Sequence, residues 1–147
     1  MQIHFNKLKN IIVFSLIIGS FLLSCKTKTY TPTNFEGAQI TFGSGGGFTG
    51  AINKFTILEN GQVFKNKKHQ KTLEEQNRFK KKEVAPYFEK CKTLMKSYDF
   101  MDEPGNLYYF ISLKNGEDVS RIVWSEEKQQ ASPEVLAFFQ QLQNLVE

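Results

Sequence analysis

The chain contains few of the side chains on which most catalytic and metal sites depend. Its 147 residues include only two cysteines, two histidines and one tryptophan. Two cysteines can form at most one disulfide, so the sequence excludes a disulfide-rich scaffold. His69 is the only histidine beyond the N-terminal segment, and zinc sites need a cluster of ligands. The sequence therefore predicts neither a zinc centre nor histidine-based acid–base catalysis.

Phosphate-binding motifs are also lacking. The glycines of Gly45-x-Gly47-x-x-Gly50 have the spacing of the dinucleotide fingerprint, but that motif must join a strand to a helix whose N-terminus meets the pyrophosphate. A β-rich segment follows instead, so we interpret the match as accidental. No Gly-Lys-Ser/Thr sequence offers a phosphate-binding loop. We therefore predict that the chain binds no cofactor.

Acidic loops leave one catalytic alternative open. Asp99, Asp102 and Glu103 cluster before a proline, and Glu126 and Glu127 follow the tryptophan. Paired carboxylates can act as general acid and base, but loop acids more often serve as solvated or capping groups. We predict no catalytic residues and no metal site, so the chain is not expected to be an enzyme.

The sequence has no apolar run long enough to cross a membrane comfortably. Its longest run, Ile11 to Leu23, is interrupted only by small residues and falls short of the roughly 20 residues that span a bilayer. Lys7 and Lys9 precede it, and no acid does. This arrangement is typical of a cleaved signal peptide.

The end of that segment, Leu22-Leu23-Ser24-Cys25, resembles a bacterial lipobox. The resemblance implies cleavage before Cys25 and lipidation of Cys25, which would anchor the chain to a membrane without spanning it. An ordinary signal peptide with an incidental cysteine is the alternative. In enterobacterial lipoproteins an aspartate after the cysteine favours the inner membrane, and Lys26 occupies that position here. The resemblance therefore implies the outer membrane, facing the periplasm.

These features divide the chain into a signal peptide (1–24), a lipidated polar tether (25–37) and one domain (38–147). Without the signal the chain has 123 residues and a net charge of +2. We therefore do not interpret its basic pI as a sign of nucleic-acid binding. We expect a monomer. Cys91 would then be the only unlipidated cysteine. It lies on the apolar side of a predicted helix, which favours a buried, inert thiol.

Hydrophobic patterns predict two β-hairpins, each followed by an amphipathic helix. Asn60-Gly61 and Asn115-Gly116 are strong turn signals between β-rich segments. The predicted strands are Gln39–Phe42, Ala51–Leu58, Gln62–Phe64, Leu107–Leu113 and Val119–Trp124. The predicted helices begin near Val84 or Ala85 and at Ser132-Pro133, and they end near Ser97 and at the C-terminus. We therefore predict an α+β fold of ββα-ββα order, with an antiparallel sheet of four to five strands and both helices on one face.

Charge is unevenly distributed along the chain. Residues 65–82 carry a net charge of +6, whereas residues 99–127 carry −5. Such asymmetry can steer association with a charged partner, but two solvated loops would give the same pattern. We interpret residues 65–82 as a solvated connection, with a strand or a turn of helix near Leu73–Phe79.

The stretch Phe42–Gly50 holds five of the ten glycines, and we predict a flexible link between the first two strands. We predict a partner-binding site that comprises Gly45, Gly46, Gly47, Phe48 and Thr49. Phe48 either stands exposed among the glycines or packs inward as part of a bulged turn. The sequence leaves both alternatives open.

Two family resemblances accompany these motifs. The segments FGSGGGFTG from Phe42 to Gly50, the Pro104-Gly105-Asn106 stretch and Ile122-Val123-Trp124 resemble small uncharacterised lipoproteins of Gram-negative bacteria. More loosely, the loop Gly46–Gly50 after the first strand, a helix ending in Asp99-Phe100 and a final helix are similar to the emfourin family of small metallopeptidase inhibitors. That similarity implies an emfourin-like fold and an inhibitory loop.

Together these patterns predict a non-enzymatic, outer-membrane-anchored periplasmic lipoprotein. It would be held to the membrane by lipid on Cys25, and its domain would bind an unidentified protein partner. The alternative is a small inhibitor of a peptidase or cell-wall hydrolase, acting through the same glycine-rich stretch.

Overall fold

The computed structural model describes residues 30–48, 50–66, 73–98, 101–102, 104–128 and 130–147. The predicted signal peptide 1–24, Cys25, Thr49 and His69 lie outside the described residues, as do Asp99 and Glu103. The strands are β1 (Gln39–Gly46), β2 (Asn53–Leu58), β3 (Gln62–Asn66), β4 (Leu73–Arg78), β5 (Met101–Asp102), β6 (Leu107–Asn115) and β7 (Asp118–Trp124). The helices are α1 (Lys81–Ser97), between β4 and β5, and α2 (Pro133–Val146), after β7.

The α+β class with an antiparallel sheet and two helices is confirmed, but the strand number and the element order were predicted wrongly. The described strands form one sheet in the order β4-β3-β2-β1-β6-β7-β5. Six of them pair antiparallel, and the two-residue β5 pairs parallel to β7. Among the described elements, four strands precede α1 and three lie between α1 and α2, so the two halves of the domain do not share the predicted ββα plan.

Strand β4 explains part of this error. Its residues Leu73–Arg78 are almost all polar and exposed, because β4 is an edge strand that pairs only with β3. Charged and polar residues are usual on sheet edges, where they discourage pairing with other chains. The sequence left a strand or a turn of helix open near Leu73–Phe79, and the structure has the strand. Because β4 has no apolar alternation, periodicity alone could not decide between the two.

Strand β1 extends further than the sequence predicted. The glycines from Gly43 to Gly46 are not a flexible link but the second half of β1, where they pair with Phe110 to Leu107 of β6. A side chain on Gly46 would overlap the backbone oxygen of Asn106, and Gly46 has a φ of 96°. The absence of Cβ atoms here permits close approach of two strands.

The main core lies between one face of the sheet and both helices. Side chains alternate along each strand, so Ile40 and Phe42 share a face with their partners on β2 and β6. The sheet contributes Ile40, Phe42, Ile57, Val63, Ile111, Leu113, Ile122 and Trp124. The helices contribute Val84, Phe88, Cys91, Leu94, Val135, Phe138, Phe139 and Leu142. A hydrogen bond between the Tyr98 and Ser132 hydroxyls joins the end of α1 to the start of α2.

The helix boundaries follow from local signals. Ser132 caps α2 by accepting a hydrogen bond from the Val135 backbone N–H at 3.3 Å, as predicted. Helix α1 ends at Ser97 as predicted but begins at Lys81, three residues early, which places Pro86 beyond the first turn. The Glu83 carboxylate accepts a hydrogen bond from the Lys80 N–H at 2.7 Å. That contact gives a hydrogen-bond acceptor to the backbone N–H of Lys80, the residue that precedes α1.

Residues 30–36, which we call the N-terminal strap, lie against the sheet on the face opposite the helices. Gln39 is buried there and donates hydrogen bonds from Nε2 to the Pro32 and Phe35 carbonyl oxygens, both at 3.0 Å. Buried Gln62 donates from Nε2 to the Tyr30 carbonyl oxygen at 3.2 Å. The N-terminal strap is the second half of the predicted tether (25–37). These hydrogen bonds hold it against the domain.

Candidate partner-binding surface

One end of the sheet gathers the residues that the sequence singled out. We call it the glycine end and define it as residues 44–48, 50–53, 104–109 and 124–128. The β1–β2 turn, the start of β6 and the loop after β7 all lie there, because β1 runs antiparallel to both β2 and β6. The opposite end carries the β2–β3 and β6–β7 turns.

Phe48 is fully exposed at the tip of the β1–β2 turn, with a relative accessibility of 107%. The base of the turn is fixed, since the Gly47 N–H donates to the Asn106 oxygen at 2.6 Å and the Gly50 N–H donates to the Gly47 oxygen at 3.0 Å. No described atom outside the turn lies within 4 Å of a Cβ placed on Gly47 or Gly50. Of the two alternatives left by the sequence, the structure has Phe48 facing outward.

The five predicted site residues occupy two different environments. Gly45 and Gly46 belong to β1, and Gly45 is buried beneath the Tyr108 ring, which a Cβ at that position would contact. Gly47 and Phe48 form the turn, while Thr49 lies outside the described residues. Gly45 and Gly46 therefore form the base of the turn, and of the two only Gly45 is buried.

Two further apolar side chains are exposed at the glycine end, and the sequence analysis missed both as site residues. Ile52 precedes β2 and is 43% exposed, and Leu107 begins β6 and is 49% exposed. Leu107 pairs with Gly46, so it lies directly below the turn. Only its pairing with Gly46 marks Leu107 as a site residue, and the pairing of β1 with β6 could not be predicted from the sequence.

A cavity of about 340 Å³, which we call the aromatic pocket, opens beside this surface. It lies between the start of β6, the end of β7 and the start of α2. Its walls include Tyr109, Trp124, Ser125, Glu126, Leu136 and Phe139. Tyr109 and Trp124 stack at 5.9 Å between ring centroids, and Phe139 meets Trp124 edge to face at 5.2 Å. The three rings come from three elements and support one another.

A second, smaller hollow joins the aromatic pocket to the glycine-rich strand. It has a volume of about 100 Å³ and shares Tyr109 and Phe139 with the pocket. Its other walls include Ser44 of β1 and Asn53 of β2. The hollow therefore lies between the aromatic pocket and strands β1 and β2, at the same end of the sheet as the β1–β2 turn.

The loop beside the pocket is acidic. Glu126 and Glu127 are exposed there with Lys128, and Asp102 of the neighbouring β5 is also exposed. Glu127 Oε2 lies 3.4 Å from the Asn106 N–H, which donates to it. This loop is therefore hydrogen-bonded to the segment that also holds the turn through Gly47.

Three lysines of the basic stretch lie at the other end of the sheet. Lys80, Lys81 and Lys82 are exposed around the start of α1, near the β2–β3 turn. Lys81 Nζ pairs with Glu59 Oε1 at 2.8 Å, and this hydrogen bond lowers the pKa of Glu59. Glu126 and Glu127 therefore lie at the opposite end of the sheet from Lys80, Lys81 and Lys82.

The described residues contain little of the chemistry used in catalysis. Within them, no group of three or more histidine, cysteine or acidic side chains is placed to hold a metal ion. Cys91 is buried, as predicted, and burial raises the pKa of its thiol to about 12. Since the thiolate is the nucleophile, Cys91 is unreactive in the folded domain.

No protein-family model, no curated protein and no solved structure matches the chain. In the part of the chain that the structure describes, neither helix is long and apolar enough to span a membrane.

Proposed function

We propose that the chain is a non-enzymatic, outer-membrane-anchored periplasmic lipoprotein that binds a protein partner through the glycine end. The observation that carries this proposal is the exposure of Phe48 on a turn with a fixed base. Burying one phenylalanine side chain contributes roughly 1.5 to 3 kcal/mol. Covering the exposed Phe48 side chain with a partner would therefore contribute favourable free energy to binding.

The construction of the turn supports binding. Pairing of Gly43–Gly46 with β6 and the hydrogen bond from Gly47 to Asn106 hold the turn in place before a partner arrives. A pre-organised surface loses less conformational entropy on association. Leu107 and Ile52 extend the apolar area around Phe48, as expected of a binding surface with an aromatic anchor.

The proposal is tested by capturing partners with matched variants. The full-length chain, carrying a C-terminal affinity tag, is purified from mildly solubilised envelopes as wild type, Phe48→Ser and Val119→Ser. Val119 is also an exposed apolar side chain, at 62%, but it belongs to the β6–β7 hairpin at the opposite end. We expect a protein that is captured by wild type and Val119→Ser and lost with Phe48→Ser. The same proteins with all three chains would contradict the proposal.

A second candidate is inhibition of a peptidase or cell-wall hydrolase by insertion of the same turn into its active-site cleft. The open space around Gly47 and Gly50 favours this candidate, because a protruding narrow turn can enter a groove. The domain is assayed against envelope peptidases and cell-wall hydrolases, with Phe48→Ser as the matched variant. Inhibition by wild type alone supports this function, and full activity of every enzyme tested contradicts it.

A further inference from the structure

We infer that the aromatic pocket receives one apolar side chain of the partner and that Glu126 selects a basic residue next to it. This inference rests on the proposed function and names the chemistry of the partner. It assigns the pocket, rather than Phe48 alone, as the element that distinguishes one partner segment from another.

The pocket is large enough for an apolar side chain, and its lining suits one. Its volume of about 340 Å³ lies at the small end of the range for ligand pockets. Tyr109, Trp124 and Phe139 form its apolar walls. Leu136 of α2 lines the same cavity and is 45% exposed, whereas the neighbouring inward positions of α2 are buried. An apolar side chain that enters the pocket therefore covers exposed leucine surface and gains hydrophobic stabilisation.

The charge around the pocket indicates which residue lies beside that side chain. Glu126 lines the cavity and is exposed to solvent. Asp102 and Glu127 add negative charge at this end, against Lys128 in the same loop. Complementary charge contributes to the choice of partner more than to total affinity. A lysine or arginine next to the inserted side chain would meet Glu126, and an acidic residue there would be repelled.

The position of the pocket connects it to the turn. Tyr109 pairs with Ser44 of β1, and the hollow shared by Tyr109 and Phe139 reaches Ser44 and Asn53. We expect a partner that covers Phe48 to extend over the mouth of the pocket, because both lie at the same end of the sheet. Phe48 contributes an apolar contact, and the pocket contributes selection.

Trp124 offers a direct measurement because it is the only tryptophan in the chain and it lines the pocket. The full-length chain in detergent is titrated with N-acetyl-Phe-Lys-amide, N-acetyl-Phe-Glu-amide and N-acetyl-Ala-Lys-amide while tryptophan emission is recorded. We expect a saturable change with the Phe-Lys peptide and none with the Ala-Lys peptide. The Phe-Glu peptide is expected to bind about threefold to fivefold more weakly, as an exposed ion pair allows.

Two charge-matched variants isolate the role of Glu126. Glu126→Gln is expected to bring the two phenylalanine peptides to the same dissociation constant. Glu117→Gln makes the same chemical change at the opposite end, where Glu117 is exposed in the β6–β7 turn, and should preserve the preference for lysine. Ala131→Leu adds three carbon atoms to the wall of the pocket, since Ala131 is a buried wall residue, and should weaken binding of the Phe-Lys peptide while the thermal transition is retained.

The outcomes separate this inference from the proposed function. No saturable emission change with the Phe-Lys peptide, or equal affinity for the lysine and glutamate peptides in the wild-type chain, overturns the pocket assignment. Partner capture that depends on Phe48 would stand in either case. Peptide binding with the expected lysine preference supports the pocket even if capture does not depend on Phe48.

Discussion

Substitution of alanine at two adjacent glycines tests whether β1 continues through the glycine-rich stretch. Gly46 and Gly47 both have positive φ, at 96° and 71°, so alanine is strained at either position. They differ in surroundings. A Cβ on Gly46 would overlap the Asn106 oxygen, whereas a Cβ on Gly47 has no neighbour within 4 Å. Comparing Gly46→Ala with Gly47→Ala therefore isolates the close approach of β1 to β6.

The magnitudes follow from these contacts. Positive φ costs an alanine roughly 1 to 2 kcal/mol, and we expect Gly47→Ala to lose about that much stability. At Gly46 the Asn106 oxygen must also retreat by more than about 1 Å to reach ordinary contact. That movement breaks the hydrogen bond from Gly47, worth about 1 kcal/mol, and over-packing adds roughly 1 to 3 kcal/mol. Gly46→Ala should therefore lose about 3 to 6 kcal/mol.

Urea denaturation of a soluble chain beginning at Lys26 measures both losses by circular dichroism. With a slope of about 1.5 kcal/mol per molar urea, the midpoint of Gly46→Ala should fall about 2 M or more below wild type. The midpoint of Gly47→Ala should fall by about 1 M. Equal losses for the two variants, or a larger loss for Gly47→Ala, would refute the paired arrangement of β1 and β6 at this end.

Three further predictions concern other parts of the chain. Burial raises the pKa of the Cys91 thiol in the folded chain to about 12, so between about pH 9 and 12 the thiol ionises in the unfolded chain only, and the free energy of unfolding falls by about 1.4 kcal/mol per pH unit. Denaturation curves of Cys91→Ala should lack this pH dependence, and the same dependence in wild type and variant would contradict burial. Gln39→Ala should accelerate chymotrypsin cleavage at Phe35, because the strap loses two hydrogen bonds, while exposed Gln76→Ala should not; equal rates would contradict docking of the strap. Cys25→Ser should move the full-length chain from the membrane fraction to the soluble fraction, and retention in the membrane would contradict the predicted lipid anchor.

Local signals in the sequence were sufficient for the hairpin turns and for the second helix. Gly61 and Gly116 adopt positive φ, as an Asn-Gly turn requires. Ser132 and Pro133 combine a hydroxyl cap with a proline that starts the helix without losing a needed donor. These features depend on neighbours in sequence, so they could be predicted without knowledge of the sheet.

The features that shape the candidate site depend on residues distant in sequence. The sequence suggested that Gly46 belongs to a loop. The residue that requires glycine there is Asn106, sixty positions away, whose backbone oxygen a Cβ on Gly46 would overlap. Gln39 looked like an ordinary strand residue, although its side chain holds the strap on the second face of the sheet. The aromatic pocket needs Tyr109, Trp124 and Phe139 from three elements. Sequence periodicity placed each ring in an element but could not bring the three together.

The central claim, that the glycine end contacts a protein partner, is tested most directly by photo-crosslinking in intact cells. A photoreactive phenylalanine analogue replaces Phe48 in one chain and Val119 in the other, both exposed and at opposite ends of the sheet. We predict a discrete ultraviolet-dependent adduct of higher mass from position 48 and none from position 119. The absence of any adduct from position 48, or the same adduct from both positions, would contradict it.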